Sequence, residues 1–150
     1  MDKIVIIPCG GAKLPHAAPA AELYTGSMFK DALRTARTMT ADQNIFILSA
    51  MHGLVALDET LEPYDLKMGQ TGSVSLRTIR YQLAGIYASH YLHEYEMHTL
   101  LPRAYYETLW AAVHTMNRTQ VFGIVNHFAG CAGIGYQKAA LANLRKLVAA

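Results

Sequence analysis

Apolar residues fall along this chain in two rhythms. Ile4-Val5-Ile6-Ile7 and Ile45-Phe46-Ile47-Leu48 are short unbroken runs of aliphatic and aromatic residues, the pattern of strands buried on both faces in a parallel sheet. Met28, Phe29, Ala32, Leu33, Ala36 and Met39 return instead at helical spacing, with Lys30, Arg34 and Arg37 elsewhere. That spacing predicts an amphipathic helix packed on the sheet, with Thr25 or Ser27 as its N-cap. A strand, a covering helix and a second apolar strand make a right-handed βαβ unit.

Both rhythms continue downstream. Ile79, Leu83, Ile86, Tyr87 and His90 give a buried stripe to a helix that starts at Ser73 or Ser75 and runs to His90 or His93. Met97 to Leu101 reads as a third strand closed by Pro102. Tyr105 to Met116 reads as a helix with Tyr106, Leu109, Trp110 and Val113 at core spacing. Thr119 to Val125 is a fourth strand broken by Gly123, and Tyr136 to Val148 is the last helix. Leu14 to Leu23, with Pro15 and Pro19, is expected to cross the surface as a loop. Val55 to Gly72 has no clear period, and long irregular segments inside a domain are usually functional or mobile. The expected architecture is a single α/β domain over residues 1–150: a three-layer α/β/α sandwich around a small, mostly parallel sheet of about four strands.

Composition narrows this picture only slightly. Of the 150 residues, 52% are apolar and 16% charged, which argues against disorder. A formal charge of +2 does not by itself mark a nucleic-acid binder. The seven histidines matter more, because imidazoles titrate near about pH 6.5 and make the charge pH-dependent. No apolar run approaches the roughly 18 residues that a membrane span needs. Cys9 and Cys131 are far apart, and the chain goes straight from Met1-Asp2-Lys3 into a strand. We therefore expect a cytoplasmic protein with reduced thiols, no cleavable leader and no membrane partner.

Candidate chemistry gathers where the strands stop, the edge at which open α/β sheets bind ligands. Pro8-Cys9-Gly10-Gly11-Ala12-Lys13 follows the first strand. Cys9 beside glycine amides and close to Lys13 is a candidate nucleophile, since nearby positive charge favours the thiolate; a small space-filling residue is the plain alternative. Gly10 and Gly11 permit positive φ and an anion-binding nest, or simply a tight turn. The spacing is too short for a Walker loop. Lys13 puts a charge where a phosphate or carboxylate would sit, or is merely solvated.

Ser49-Ala50-Met51-His52-Gly53-Leu54 ends the second strand. Ser49 and His52 are spaced like a nucleophile and its base, which does not guarantee a hydrogen bond, and there is no Gly-x-Ser-x-Gly elbow. His52 is otherwise a ligand contact, an acid or a phosphate contact. In a parallel arrangement both strand ends open on one edge, so Ser49 and His52 are expected to face Cys9 and Lys13 across one cleft. Glu62-Pro63-Tyr64-Asp65 adds two carboxylates and a phenol suited to acid–base work, or forms a solvated turn. His90, His93 and His98 with Glu94 and Glu96 are dense in sequence but match no zinc spacing, so no metal site is expected. Gly130 to Gly135, before the last helix, is either a phosphate-binding helix start or a hinge.

Four stretches together resemble an uncharacterised domain family of phages and bacteria: Pro8-Cys9-Gly10-Gly11-Ala12-Lys13, Ala20-Ala21-Glu22-Leu23-Tyr24-Thr25-Gly26, Leu48 to Val55, and Glu62-Pro63-Tyr64-Asp65. Leu54-Val55-Ala56-Leu57-Asp58 through Pro63-Tyr64 to Met68-Gly69 is similar to a segment of YaaA-type peroxide-stress proteins. Pro8-Cys9 with Lys13 is similar to a signature of the archaeosine synthase core domain, although Leu14-Pro15-His16 departs from how that signature continues. The resemblance implies a nucleic-acid or nucleobase context, because YaaA-type proteins are linked to DNA binding under oxidative stress and the archaeosine enzyme modifies a transfer-RNA base. Carried over by motif, the site residues are Cys9, Lys13, Ser49, Gly53, Pro63, Tyr64 and Asp65.

Two readings follow. In the first, the chain is an enzyme on a nucleobase, nucleotide or modified DNA base. Cys9, Lys13, Ser49, Tyr64 and Asp65 are then its catalytic candidates, and Gly10, Gly11, Tyr24, His52, Gly53, Glu62 and Pro63 bind the ligand. No cofactor is identifiable. In the second, it is a non-catalytic module that binds nucleic acid or sequesters a nucleotide. Its contact surface is then built from Arg34, Arg37, Arg77, Arg80, Lys138, Arg145 and Lys146. An oligomeric structural protein is the blandest option.

Overall fold

The computed structural model describes residues 2–90, 95–115 and 123–149. In chain order the elements are β1 (Asp2–Pro8), β2 (Ala18–Pro19), α1 (Ala20–Leu23), α2 (Ser27–Met39), a 3-10 turn (Asp42–Asn44), β3 (Ile45–Ser49), β4 (Gly53–Ala56), β5 (Thr60–Leu61), α3 (Leu76–His90), β6 (Tyr95–Thr99), α4 (Arg103–His114), β7 (Ile124–Asn126) and α5 (Ile134–Ala149).

Five strands form the main sheet in the order β4-β3-β1-β6-β7. β1 pairs in parallel with β3 (Val5 opposite Ile45) and with β6 (Val5 opposite His98), and β6 pairs in parallel with β7. β4 runs antiparallel to β3 on the outer edge. The unbroken apolar run of β1 has a direct cause. Val5 and Ile7 enter one core with Phe29, Ala32 and Ala36 of α2 and Leu141 of α5, while Ile4 and Ile6 enter another with Ile79 and Leu83 of α3 and Leu109 and Val113 of α4. A strand covered by helices on both faces has no polar side to show, and each such side chain taken from water contributes about 1.5–3 kcal/mol.

Several expectations need correction. The sheet has five strands, one more than expected. The extra strand, β4, lies in sequence read as a polar loop and the start of an aperiodic stretch. It exists because Gly53 takes a φ of 73°, which folds the chain straight back along β3. Leu14 to Leu23 is not all loop: β2 pairs antiparallel with β5 (Ala18 opposite Leu61), and the single turn α1 buries Ala20 and Leu23. Proline is tolerated there because the two-residue strand β2 bonds on one side only. α2 is entered through Gly26 with no side-chain cap, and Ser27 is its first residue. Ser75 does cap α3, accepting the Thr78 amide at 3.2 Å. Trp110 is 46% exposed and stacks on His114, outside the core that α4 enters through Leu109, Ala112 and Val113. The strand expected over 119–125 lies partly outside the described residues, as do His93 and Glu94.

The helices are tied laterally by a half-buried ion pair. Arg145 of α5 reaches Asp31 at 2.9 Å and Thr35 Oγ1 at 2.6 Å on α2. Among the described residues no helix is long and apolar enough to cross a membrane.

Candidate functional site

Because β1, β3 and β6 are parallel, they deliver their carboxyl ends to one edge. Cys9 follows β1 there, and its amide donates to the Leu48 carbonyl of β3 at 3.2 Å. Ser49 closes β3. Leu100-Leu101-Pro102 then carries the chain from β6 into the first turn of α4, where Tyr105 sits. Cys9 Sγ and Tyr105 Oη are hydrogen-bonded at 3.3 Å.

The loop after Cys9 is folded back onto this edge by two main-chain bonds, Leu14 N–H to Leu23 O at 2.8 Å and Thr25 N–H to Ala12 O at 3.0 Å. Lys13 and Tyr24 thereby face one another across a two-residue bridge. The pairing of β5 with β2 brings the following segment across the same edge, with Tyr64 turned inward and Glu62, Pro63 and Asp65 exposed.

These placements produce a chain of hydroxyls. Tyr24 Oη lies 2.7 Å from Tyr64 Oη, which lies 2.7 Å from Ser49 Oγ. Ser49 Oγ also accepts the amides of Met51 and His52, at 3.2 and 3.0 Å. The Lys13 ammonium rides 4.3 Å above the Tyr64 ring, a cation–π contact, and donates to the Gly11 carbonyl at 3.3 Å. Burial is the largest influence on all three phenols and raises the pKa of Tyr24, Tyr64 and Tyr105 above the ordinary tyrosine value. A thiolate at Cys9 pushes each further in the same direction. The three are therefore neutral hydroxyls around neutral pH, able to donate.

Direct contacts thus bring Lys13, Tyr24, Ser49 and Tyr64 together, and Cys9 lies at the same sheet edge, bonded to Tyr105. Other candidates sit differently. The His52 ring packs edge-on to Tyr64 at 5.4 Å, and Ser49 meets His52 through its main-chain amide, so the serine–imidazole pairing is not formed. Glu62 and Asp65 are exposed and make no hydrogen bond among the described residues. Neither Gly10 nor Gly11 takes a positive φ, and a Cβ on Gly11 would meet nothing within 4 Å, so the backbone there is an ordinary turn.

Two residues were missed from sequence. Tyr105 has a legible signal in hindsight: Pro102 closes β6, so the next helix must start at the same sheet edge. Gln82 has none. Its carboxamide accepts the Leu54 amide and donates to the His52 carbonyl, both at 2.8 Å, which pins the loop carrying His52 and Gly53 to α3.

A second polar cluster lies between β6 and β7. His98 Nδ1 and His127 Nε2 are 2.8 Å apart with stacked rings. His98 Nε2 is buried without a hydrogen-bond partner, since the Glu96 carboxylate at 3.7 Å is out of reach. Among the described residues no three His, Cys, Asp or Glu side chains are placed to hold a metal. A groove of about 850 Å³ runs beside β4, lined by Leu54, Ala56, Leu57, Asp58, Glu59 and Gln82 among others, and takes in none of Cys9, Lys13, Ser49 and Tyr64. Its lining is acidic, with Glu22, Asp42, Asp58 and Glu59 beside Arg37, and it lies apart from the thiol, amine and hydroxyl cluster described above.

The basic residues do not form one surface. Arg34, Arg37, Lys138, Arg145 and Lys146 lie on α2 and α5, whereas Arg77 and Arg80 lie on α3, which packs on the opposite face of the sheet. Arg34 and Arg145 are paired with Asp31, and Arg37 with Asp42.

Fold and site together define an α/β domain with a polar cluster at the carboxyl edge of a mostly parallel sheet. The chain belongs to a family of unknown function, DUF6884, whose pattern matches residues 4–143, a span that includes every residue of this cluster. No curated protein and no solved structure matches it.

Proposed function

We propose that this protein is a cytoplasmic phage or bacterial enzyme acting on a nucleobase, nucleotide or modified DNA base, with Cys9 at the reacting centre of a three-layer α/β/α frame. The observation that carries this reading is the Cys9 thiol, half-buried and hydrogen-bonded to Tyr105, at the same sheet edge as the Tyr24–Tyr64–Ser49 chain over which Lys13 lies. Cys9 serves as nucleophile or base contact. Lys13 holds an anionic group, and Tyr64 supplies hydrogen bonds from a ring that also offers a stacking face. Asp65, next to Tyr64 and open to solvent, is positioned to exchange protons with an incoming ligand. The likeness to YaaA-type and archaeosine synthase segments supports the choice of a base as substrate. The non-catalytic reading has less support, because its cations divide between two faces and several are already paired.

Calorimetry with a panel of nucleoside 5′-monophosphates tests this. At least one member is expected to bind, Lys13→Ala to weaken it about tenfold, roughly 1.4 kcal/mol, and Cys9→Ala to stop turnover while sparing binding. Absence of binding across the panel, or indifference to both substitutions, contradicts the proposal.

A further inference from the structure

β4 ends the main sheet on one side, with β3 as its partner in it. In an antiparallel pair the N–H and C=O of one residue point the same way, and the direction alternates along the strand. The Leu54 amide donates to the Gln82 carboxamide at 2.8 Å, so Leu54 and Ala56 turn their main-chain groups away from β3. Gln82 meets the first part of this edge as an added strand would, accepting the Leu54 N–H and donating to the His52 C=O. Two residues further along, the same pair of groups recurs in the Leu54 C=O and the Ala56 N–H, and neither has a partner among the described residues. The next carbonyl, of Ala56, is taken by the Glu59 amide at 3.3 Å.

Leu54 and Ala56 line the groove of about 850 Å³ beside this edge, and its two walls differ. Gly85 and Ile86 of α3 form one, on the face of the sheet that Leu54 and Ala56 enter. Glu22, Asp58 and Glu59 belong to the other, next to Leu23 and Leu57, which share a core with Val55. These three carboxylates make no ion pair among the described residues, whereas Arg37 of the same groove is held by Asp42.

We propose that this edge is a docking site for an extended basic segment of a partner protein, which adds to β4 as a parallel strand. The partner residue opposite Val55 donates its N–H to the Leu54 C=O and accepts the Ala56 N–H, the two bonds that a parallel bridge makes. Its side chain points to the face of Val55, where Glu22, Asp58 and Glu59 select lysine or arginine. The residues before and after it point to the opposite face, toward Leu54, Ala56 and Ile86, and are apolar. Main-chain bonds thus supply attachment and the apolar–basic–apolar alternation supplies specificity. The site takes in none of Cys9, Lys13, Ser49 and Tyr64 and is independent of the nucleotide reading.

The probe is the acetylated, amidated pentapeptide Lys-Val-Lys-Val-Lys, titrated into isotope-labelled protein at low ionic strength and followed by amide chemical shifts. Saturable shifts are expected at Leu54, Val55 and Ala56. N-methylation of the central lysine keeps the charge and removes the donor to Leu54, and is expected to weaken binding at least about tenfold. Asp58→Asn with Glu59→Gln, both exposed, is expected to weaken it about three- to tenfold and to flatten its salt dependence. Spermidine, a cation without amides, is expected to leave the peptide bound at equal concentration. Absence of saturable shifts at β4 overturns the proposal. Equal affinity of the parent and N-methylated peptides, or displacement by spermidine at equal concentration, reduces the groove to a patch for cations and also overturns it. So does self-association of the free protein through Leu54–Ala56, read by sedimentation and concentration-dependent shifts, which would make a second copy the occupant.

Discussion

His98 and His127 share a short ring-to-ring hydrogen bond, and burial lowers the pKa of both. Lys3 on β1 lowers both further, and Glu96 opposes the shift at His98. The sign of the consequence follows. Above about pH 6.5, the value for an unfolded histidine, both rings are neutral in either state and the pair contributes no pH dependence. As pH falls below that value the unfolded chain takes up protons that the folded pair resists, so stability falls until the lowered folded values are passed. Urea unfolding between pH 7 and 5 is expected to show this decline, and His98→Gln with His127→Gln to flatten it; an equal slope in the variant contradicts the assignment. At this scale the sequence was informative where a residue follows a strand directly. Cys9, Lys13 and Ser49 are fixed by where β1 and β3 stop, and Tyr64 by a motif. Asp65 comes from the same motif as Tyr64 and Glu62 from chemical type, yet both are exposed, and side-chain direction within an aperiodic segment has no pattern to reveal it. The His98–His127 contact needs the register of β6 against β7, which no local pattern encodes.

Among the elements, the long apolar runs β1 and β3 and the helices around them were legible because burial on two faces, or on one stripe, writes a period into the sequence. β4 was not, because its four residues Gly53–Ala56 are too few to show a period and follow a polar turn. What holds β4 in place is Gly53 and Gln82. Gly53 has a φ of 73°, and a Cβ there would run into the Gln82 carboxamide, breaking its bonds to the chain on either side of Gly53. Gly53→Ala is expected to cost roughly 2–3 kcal/mol by strain and lost bonding, measured as a lower urea midpoint with an unchanged slope. A cost under about 0.5 kcal/mol, the usual range for an uninvolved surface site, would show that this strand end is not held as described.

Across the whole molecule, the parallel core of the sheet has one functional consequence: three strand ends, from β1, β3 and β6, open on a single edge. That convergence brings residues as distant in sequence as Cys9, Ser49 and Tyr105 to the same place, while the paired cations and the acidic groove beside β4 lie elsewhere. On the proposed function, Cys9 is the reactive position and the ligand sits against it. Cys131, also half-buried and outside any disulfide, is an internal control. The most direct measurement is site-resolved alkylation of the unmodified protein near neutral pH, with and without the nucleoside 5′-monophosphates. Cys9 is predicted to react faster than Cys131 and to be protected selectively by a binding nucleotide. Equal reactivity of the two cysteines, or protection at neither, would contradict the account.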